Sequence, residues 1–191
     1  MRVGVLALQG DVVEHASMTR AAGAEVVEVR YSSQVEGLDG LIIPGGESTT
    51  VGKLMERFGF VDEIRKHAAR GLGVFGTCTG LILLAREVTD SGQTGLGVMD
   101  FVVKRNAFGR QVDSFEAGIG IPAIGDPPMR AVFIRAPYIL SVGPGVEAMA
   151  RFDDRIVLAR QGRHLACAFH PEVTSDTRLH RYFLDMLAGK A

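Results

Sequence analysis

Cysteine is scarce: the 191 residues hold two, Cys78 and Cys167. A small secreted domain framed by disulfides uses more, so that class is excluded. An excess of charge of either sign is also missing, since Lys and Arg number 21 against 22 Asp and Glu, a formal charge of −1. Nothing electrostatic therefore calls for nucleic acid or a membrane surface. No basic run carries interleaved aromatics. The opening stretch "MRVGVLALQG" has a charge and an apolar run, but the run is too short to span a bilayer and no small-residue cleavage site follows it. It reads as a buried first strand. There is no Walker motif, no GxGxxG fingerprint and no His/Cys cluster at zinc spacing, so no metal or cofactor is expected. Repeats, low-complexity tracts and interdomain linkers are absent too. These absences leave the expectation of one cytoplasmic domain over residues 1–191.

What is present supports a packed α/β chain. Hydrophobic residues make up 47% of the sequence, enough for a sizeable core. "VGVLAL" is a continuous apolar run, as expected of a strand buried on both faces. Residues 11–22 suit a helix, with Asp11 as its N-cap. "EVVEVR" and "LDGLIIPGG" read as the second and third strands. Over residues 50–70, Val51, Leu54, Met55, Phe58, Val61 and Ile64 fall at helical spacing, with Gly59 a weak point. "LGVF" is the next strand and "TGLILLARE" the next helix. Strands alternating with helices predict a largely parallel sheet. After residue 95 the pattern changes to strands with few helices: "LGVMDFVVKRN", "SFEAGIGIP", "RAVFIRAP" and a hairpin in "RIVLARQGRHLACAFH". This predicts an antiparallel extension. "DTRLHRYFLDML" closes as an amphipathic helix with Leu179, Tyr182, Phe183, Met186 and Leu187 inward.

In such sheets ligands sit at the carboxyl ends of the strands, where both "PGGES" and "GTCTG" fall. Gly76-Thr77-Cys78-Thr79-Gly80 has the form of a nucleophile elbow: glycines two before and two after permit a sharp turn that projects the thiol from the sheet. A helix N-terminus there favours thiolate. The Thr79 N–H could face an oxyanion. The bland alternative is a small buried cysteine. Cys167, in "LACAF" with no glycine turn, reads as inert packing.

A cysteine nucleophile needs a base and a group to orient it. His15, His67, His164 and His180 read as solvated or structural. His170 opens "HPE" directly after an apolar run. Pro171 disfavours the helical region for His170, so the segment is expected to be extended, with Glu172 on the same side as the ring.

"GTCTG" followed by "FHPE" resembles the class I, triad-type glutamine amidotransferases. "LALQGDVVEH", "GLIIPGGESTT", "FGTCTGLILLA", "RNAFGRQVDSFEA", "VFIRAP" and "FHPE", in that order along the whole chain, resemble more narrowly the glutaminase subunits of pyridoxal 5′-phosphate synthases. The resemblance implies an α/β, flavodoxin-like three-layer domain with a mostly parallel sheet and an antiparallel extension. It implies that Cys78 is the nucleophile, His170 the acid/base and Glu172 its orienting partner. Gly46, Glu47 and Ser48 would bind glutamine, with backbone N–H groups near Gly46 and Thr79 as oxyanion donors. Arg105, Ile134 and Arg135 would complete the substrate site; without the resemblance both arginines are ordinary surface residues. Thr79 departs from the Ala usual in the family pattern. A synthase subunit is implied as partner, taking up ammonia to make pyridoxal 5′-phosphate as a product. The loop "LQGD" is expected near the site mouth, rearranged by partner contact. Two other readings are weighed: a glutaminase subunit of another pathway, which shares the triad but should lack "GGESTT" and "FIRAP", and a catalytically silent regulatory partner of a synthase, against which the intact Cys78, His170 and Glu172 argue. A peptidase or chaperone built on a cysteine elbow is disfavoured by "HPE".

Overall fold

The computed structural model describes residues 1–89, 95–105 and 114–191. Most of the "RNAFGRQ" segment, residues 106–111, lies outside them. The first half follows the expected alternation: β1 (Arg2–Leu6), α1 (Val12–Ala22), β2 (Glu25–Val29), β3 (Gly40–Ile43), α2 (Ser48–Arg57), α3 (Phe60–Ala68), β4 (Gly73–Thr77) and α4 (Thr79–Leu84). Strands β1, β3 and β4 are buried almost throughout, because helices cover both faces and every side chain points into a core. The expected long helix over residues 50–70 is two helices. Gly59 adopts φ 70°, a left-handed conformation open to glycine, and the chain turns there.

The "TGLILLARE" helix is shorter than its apolar run suggests. It stops at Leu84, and Ala85–Val88 form β5, paired in parallel with β6 (Met99–Lys104). Beyond it come β7 (Ser114–Ile119), β8 (Met129–Ile134), β9 (Tyr138–Val142), β10 (Glu147–Phe152), β11 (Arg155–Gln161), β12 (His164–Cys167) and α5 (Arg178–Leu187). The main sheet runs β2-β1-β3-β4-β12-β11-β9-β6-β5, with β10 added on β11. Pairings from β2 to β12 are parallel; those that join β12, β11, β9 and β6 are antiparallel. Strands β7 and β8 form a separate antiparallel ribbon. The mixed α/β sheet with its antiparallel extension is thus the architecture expected. Strands β9 and β10 were not.

Chain order places the site. From β1 the chain passes through α1 to β2 on one side, whereas β3 and β4 lie on the other. With right-handed crossovers, α1 falls on one face and α2 and α3 on the opposite one. Helix α5 packs on α1, and α4 on α2. The crevice at such a reversal lies between the loops that leave β1 and β3. Those loops carry Gln9–Asp11 and Pro44–Glu47, and β4 ends beside them at Thr77.

Candidate active site

Cys78 sits between β4 and α4 with φ 48° and ψ −97°. A side-chain-bearing residue reaches that conformation only when its surroundings hold it there. Its N–H donates to the Cys167 carbonyl at 2.8 Å, which anchors the turn to the next strand. A Cβ on Gly80 would lie 2.2 Å from the Ile43 carbonyl oxygen, so α4 can pack this close to β3 only with glycine there. The elbow read from the glycine spacing is present. The thiol is nearly buried and faces the Ile134 carbonyl at 3.9 Å.

His170 follows β12, and its N–H donates to the Val132 carbonyl at 2.8 Å. Its partner is reached in a different way from the one expected. Pro171–Val173 is a 3₁₀ turn rather than an extended segment. The fixed φ of Pro171 suits the first position of such a turn. The turn still brings Glu172 Oε1 to 2.7 Å from His170 Nδ1, with both side chains buried. Asp11 Oδ2 lies 3.3 Å from the same nitrogen. Asp11 heads α1 but makes no side-chain cap bond; its carboxylate faces His170 instead. Gly45 leaves room for this, since a Cβ there would lie 2.4 Å from His170 Cε1.

The electrostatics favour a charged imidazole. Burial works against it, but hydrogen bonds with Asp11, Cys78 and Glu172 outweigh burial and push His170 up to about 12. Burial likewise opposes the Glu172 charge, yet His15 and then His170 hold its carboxyl well below the usual carboxylate range. Both shifts favour an anionic Glu172 beside a cationic His170, the arrangement in which Nδ1–H donates to the carboxylate. The other ring nitrogen is left for the thiol, with which His170 interacts. Cys167 contrasts: burial, then Glu172 and Cys78, push its thiol well above the ordinary value, as befits core packing.

A cavity of about 110 Å³ opens above the thiol, lined by Gly46, Glu47, Ser48, Cys78, Thr79, Ile82, Arg105, Ile134 and Arg135. Every substrate-site and oxyanion residue expected from the sequence lies on this wall; among the described residues, Ile82 is the one addition. Arg135, at φ 43°, is a second strained non-glycine residue beside Cys78. Arg105 Nη2 stands 4.0 Å from Glu47 Oε1. Glu47 also caps α2, accepting from Thr49 N–H at 3.0 Å, Thr50 N–H at 2.7 Å and the Thr50 hydroxyl at 2.7 Å. The Thr50 hydroxyl first, then the two amides, bring its carboxyl down to about 2. The Thr79 hydroxyl donates to the Gly46 carbonyl at 2.5 Å, and Gln9 Oε1 accepts from Glu47 N–H at 2.8 Å. The peptide between Gly46 and Glu47 is thus held from both sides.

Sequence reading did not pick out Gly45, Thr77 and Ile82 as site residues, and it placed Gln9 and Asp11 near the site mouth only as members of the loop "LQGD", with no partner named for either side chain. It treated His15 and His180 as solvated or structural. The structure buries both, one against Glu172. The only available signal was "LQGDVVEH", which placed the loop but gave no partner for its histidine.

Comparison with known proteins agrees with this geometry. The family model described as "SNO glutamine amidotransferase family" matches residues 5–189. The chain is similar to the pyridoxal 5′-phosphate synthase subunit PdxT of Pelotomaculum thermopropionicum, with 60% identity over 97% of this chain and 94% of that one. To the PdxT of Desulforudis audaxviator it is 57% identical, covering 98% and 99% of the two chains. A solved structure described as a glutamine amidotransferase superposes with a TM-score of 0.93 at 51% identity, over 97% of this chain and 98% of the other.

Proposed function

Because this chain belongs to the SNO glutamine amidotransferase family, we propose that it hydrolyses L-glutamine to L-glutamate and ammonia, and passes the ammonia to the synthase subunit of a pyridoxal 5′-phosphate synthase. The observation that carries the chemistry is His170, held 2.7 Å from the Glu172 carboxylate and interacting with Cys78, whose thiol lies on the wall of one small cavity. Its relatives, named as subunits of that synthase and matched nearly end to end, carry the pathway and the partner.

The Cys78 thiolate attacks the side-chain amide carbon. The oxyanion that forms is held by backbone N–H groups near Gly46 and Thr79, the latter the first amide of α4 and without a partner inside its own helix. Imidazolium His170 gives its proton to the amide nitrogen, the C–N bond breaks and ammonia leaves. Glu172 stabilises the cation and fixes its tautomer, as the acid member of a triad does. Water, deprotonated by His170, attacks the glutamyl thioester. The C–S bond breaks, glutamate leaves and the thiolate returns.

Gly46, Glu47, Ser48, Arg105, Ile134 and Arg135 form the glutamine site. The guanidinium groups suit the α-carboxylate, and carbonyls such as that of Ile134 suit the α-ammonium. Free ammonia would be protonated in water, so the synthase subunit must cover the mouth during turnover. Gln9 holds the Glu47 N–H in the present arrangement. Partner contact rearranges this loop to complete the oxyanion site. The chain acts as one glutaminase domain over residues 1–191 in the cytoplasm; no helix among the described residues is long and apolar enough to cross a membrane. The test is glutamate release by the chain alone and with a pyridoxal 5′-phosphate synthase subunit. Release that the subunit stimulates and Cys78→Ala abolishes is expected. No release in either setting overturns the reading.

A further inference from the structure

Behind the triad lies a line of buried polar groups that the reaction above leaves unused. His15 on α1 is fully buried, and so, within 1%, is His180 on α5. His15 Nδ1 and His180 Nε2 are 3.1 Å apart. His15 Nε2 is 2.9 Å from the Thr77 hydroxyl, at the end of β4 and next in sequence to Cys78. The same Nε2 is 3.2 Å from Glu172 Oε2. The carboxylate therefore lies between two imidazoles, His170 on Oε1 and His15 on Oε2.

The protonation pattern follows from the neighbours. A nitrogen 3.2 Å from a buried carboxylate must carry a hydrogen, because two lone pairs would repel there. Whichever of the two facing ring nitrogens holds the hydrogen between them, His15 thus presents Nε2–H. The bond is directed at Thr77, and Glu172 Oε2 has no aligned donor among the described residues. A buried carboxylate oxygen in that state costs free energy unless a nearby charge or dipole offsets it. His15 is that neighbour. We propose that His15, braced by His180 and Thr77, is a positioning residue: it holds the far oxygen of Glu172 and thereby fixes the carboxylate that orients His170 and keeps it charged. The proposal rests on the glutaminase reading only for its effect on turnover.

The groups that bear on this coupling come from several elements. Asp11, Cys78 and Glu172 face His170. His15 and His170 face Glu172, and Cys167 and His180 sense its charge. Loss of His15 leaves Glu172 less well held and less strongly ionised. That weakens the His170 cation and, through it, the reactivity of Cys78 at low pH.

The test compares His15→Met, which fills the space without a donor, with His15→Gln, which keeps an N–H where Nε2 stands. Two readouts are needed: kcat and KM for glutamate release in the complex with the synthase subunit, and the pH profile of Cys78 alkylation by iodoacetamide in the chain alone. His15→Met is expected to lose about 10- to 100-fold in kcat, the scale set by misplacing a catalytic group by about an ångström, with KM little changed. Its alkylation should begin at higher pH. His15→Gln should restore most of both. If His15→Met does not fold, His15→Leu, which also lacks a donor, carries the same comparison. A donorless variant with the wild-type kcat and alkylation profile overturns the proposal, as does a loss in KM alone or one that His15→Gln shares equally. Were the wild type to release no glutamate, the glutaminase reading would fail, and alkylation would still decide the role of His15.

Discussion

Single residues set the pH behaviour of the fold as well as of the site. His180 is almost fully buried and held neutral, its value drawn down to about 3 by burial and then by the neighbouring His15. Unfolding returns it to about 6.5. Between those values the unfolded chain binds a proton that the folded chain does not, so stability falls as pH falls. His164, lowered by burial and then by Arg163, works in the same direction. The folded chain is thus expected to lose stability from about pH 6.5 downward, before Glu172 is reached. His180→Leu should flatten that slope by up to about 1.4 kcal/mol per pH unit, read from urea melts across the window. An unchanged slope would show that His180 titrates freely in the folded state. The raised value of His170 acts the other way: its contribution is complete below about pH 6.5 and declines as pH rises toward about 12.

At the scale of elements, the loop after β3 is fastened by side chains that also line the cavity. Glu47 satisfies two amides at the start of α2, so Glu47→Ala should cost about 1 kcal/mol of stability, the usual loss of an N-cap. Because its carboxyl is held near 2, this contribution is present above about pH 4.5 and fades as pH falls toward 2. Thr79 ties the elbow to the same loop through the Gly46 carbonyl. Thr79→Ala, the residue usual in the family pattern, should cost about 1 kcal/mol by thermal or urea denaturation. A neutral effect of either substitution would show that the loop is held by packing alone. Elements also show where sequence reading stops. The elbow was legible because its glycines encode close backbone approach over five residues. The broken helix was legible as a weak point at Gly59. Strands β9 and β10 were not, because their burial does not alternate cleanly: Leu140, Ser141 and Val142 are all exposed. Their place comes from pairing with β6, β11 and each strand's neighbours, a non-local cause. The His170–Glu172 contact was foreseen for the wrong local reason, since both an extended strand and a 3₁₀ turn put the carboxylate by the ring.

Across the whole molecule, the site is a product of topology. Asp11 from the loop after β1, Gly45 and Gly46 from the loop after β3, Cys78 from the end of β4 and His170 from the end of β12 converge because these strands are parallel neighbours. The elbow, "HPE" and the family resemblance singled out Cys78, His170 and Glu172, and the fold brings the three together. Sequence order could not show that α1 and α5 bring His15 and His180 behind them, because that buried pair spans 165 positions of sequence. The near-zero net charge gives the molecule no general attraction for ions of either sign. Arg105→Ala is expected to raise KM for glutamine by at least about tenfold with a smaller effect on kcat, as the loss of a charged hydrogen bond to a bound carboxylate would. An unchanged KM would remove Arg105 from the substrate site.

The central claim is that glutamine is split on Cys78. Intact-mass spectrometry of rapidly quenched wild-type protein and of His170→Asn, each in complex with the synthase subunit and given glutamine, tests it most directly. The account predicts an added glutamyl group mapped to Cys78, accumulating only where the step that removes it is slower than the step that forms it, and none on Cys167. Continued glutamate release with Cys78 replaced by alanine, or an adduct on any other residue, would contradict it.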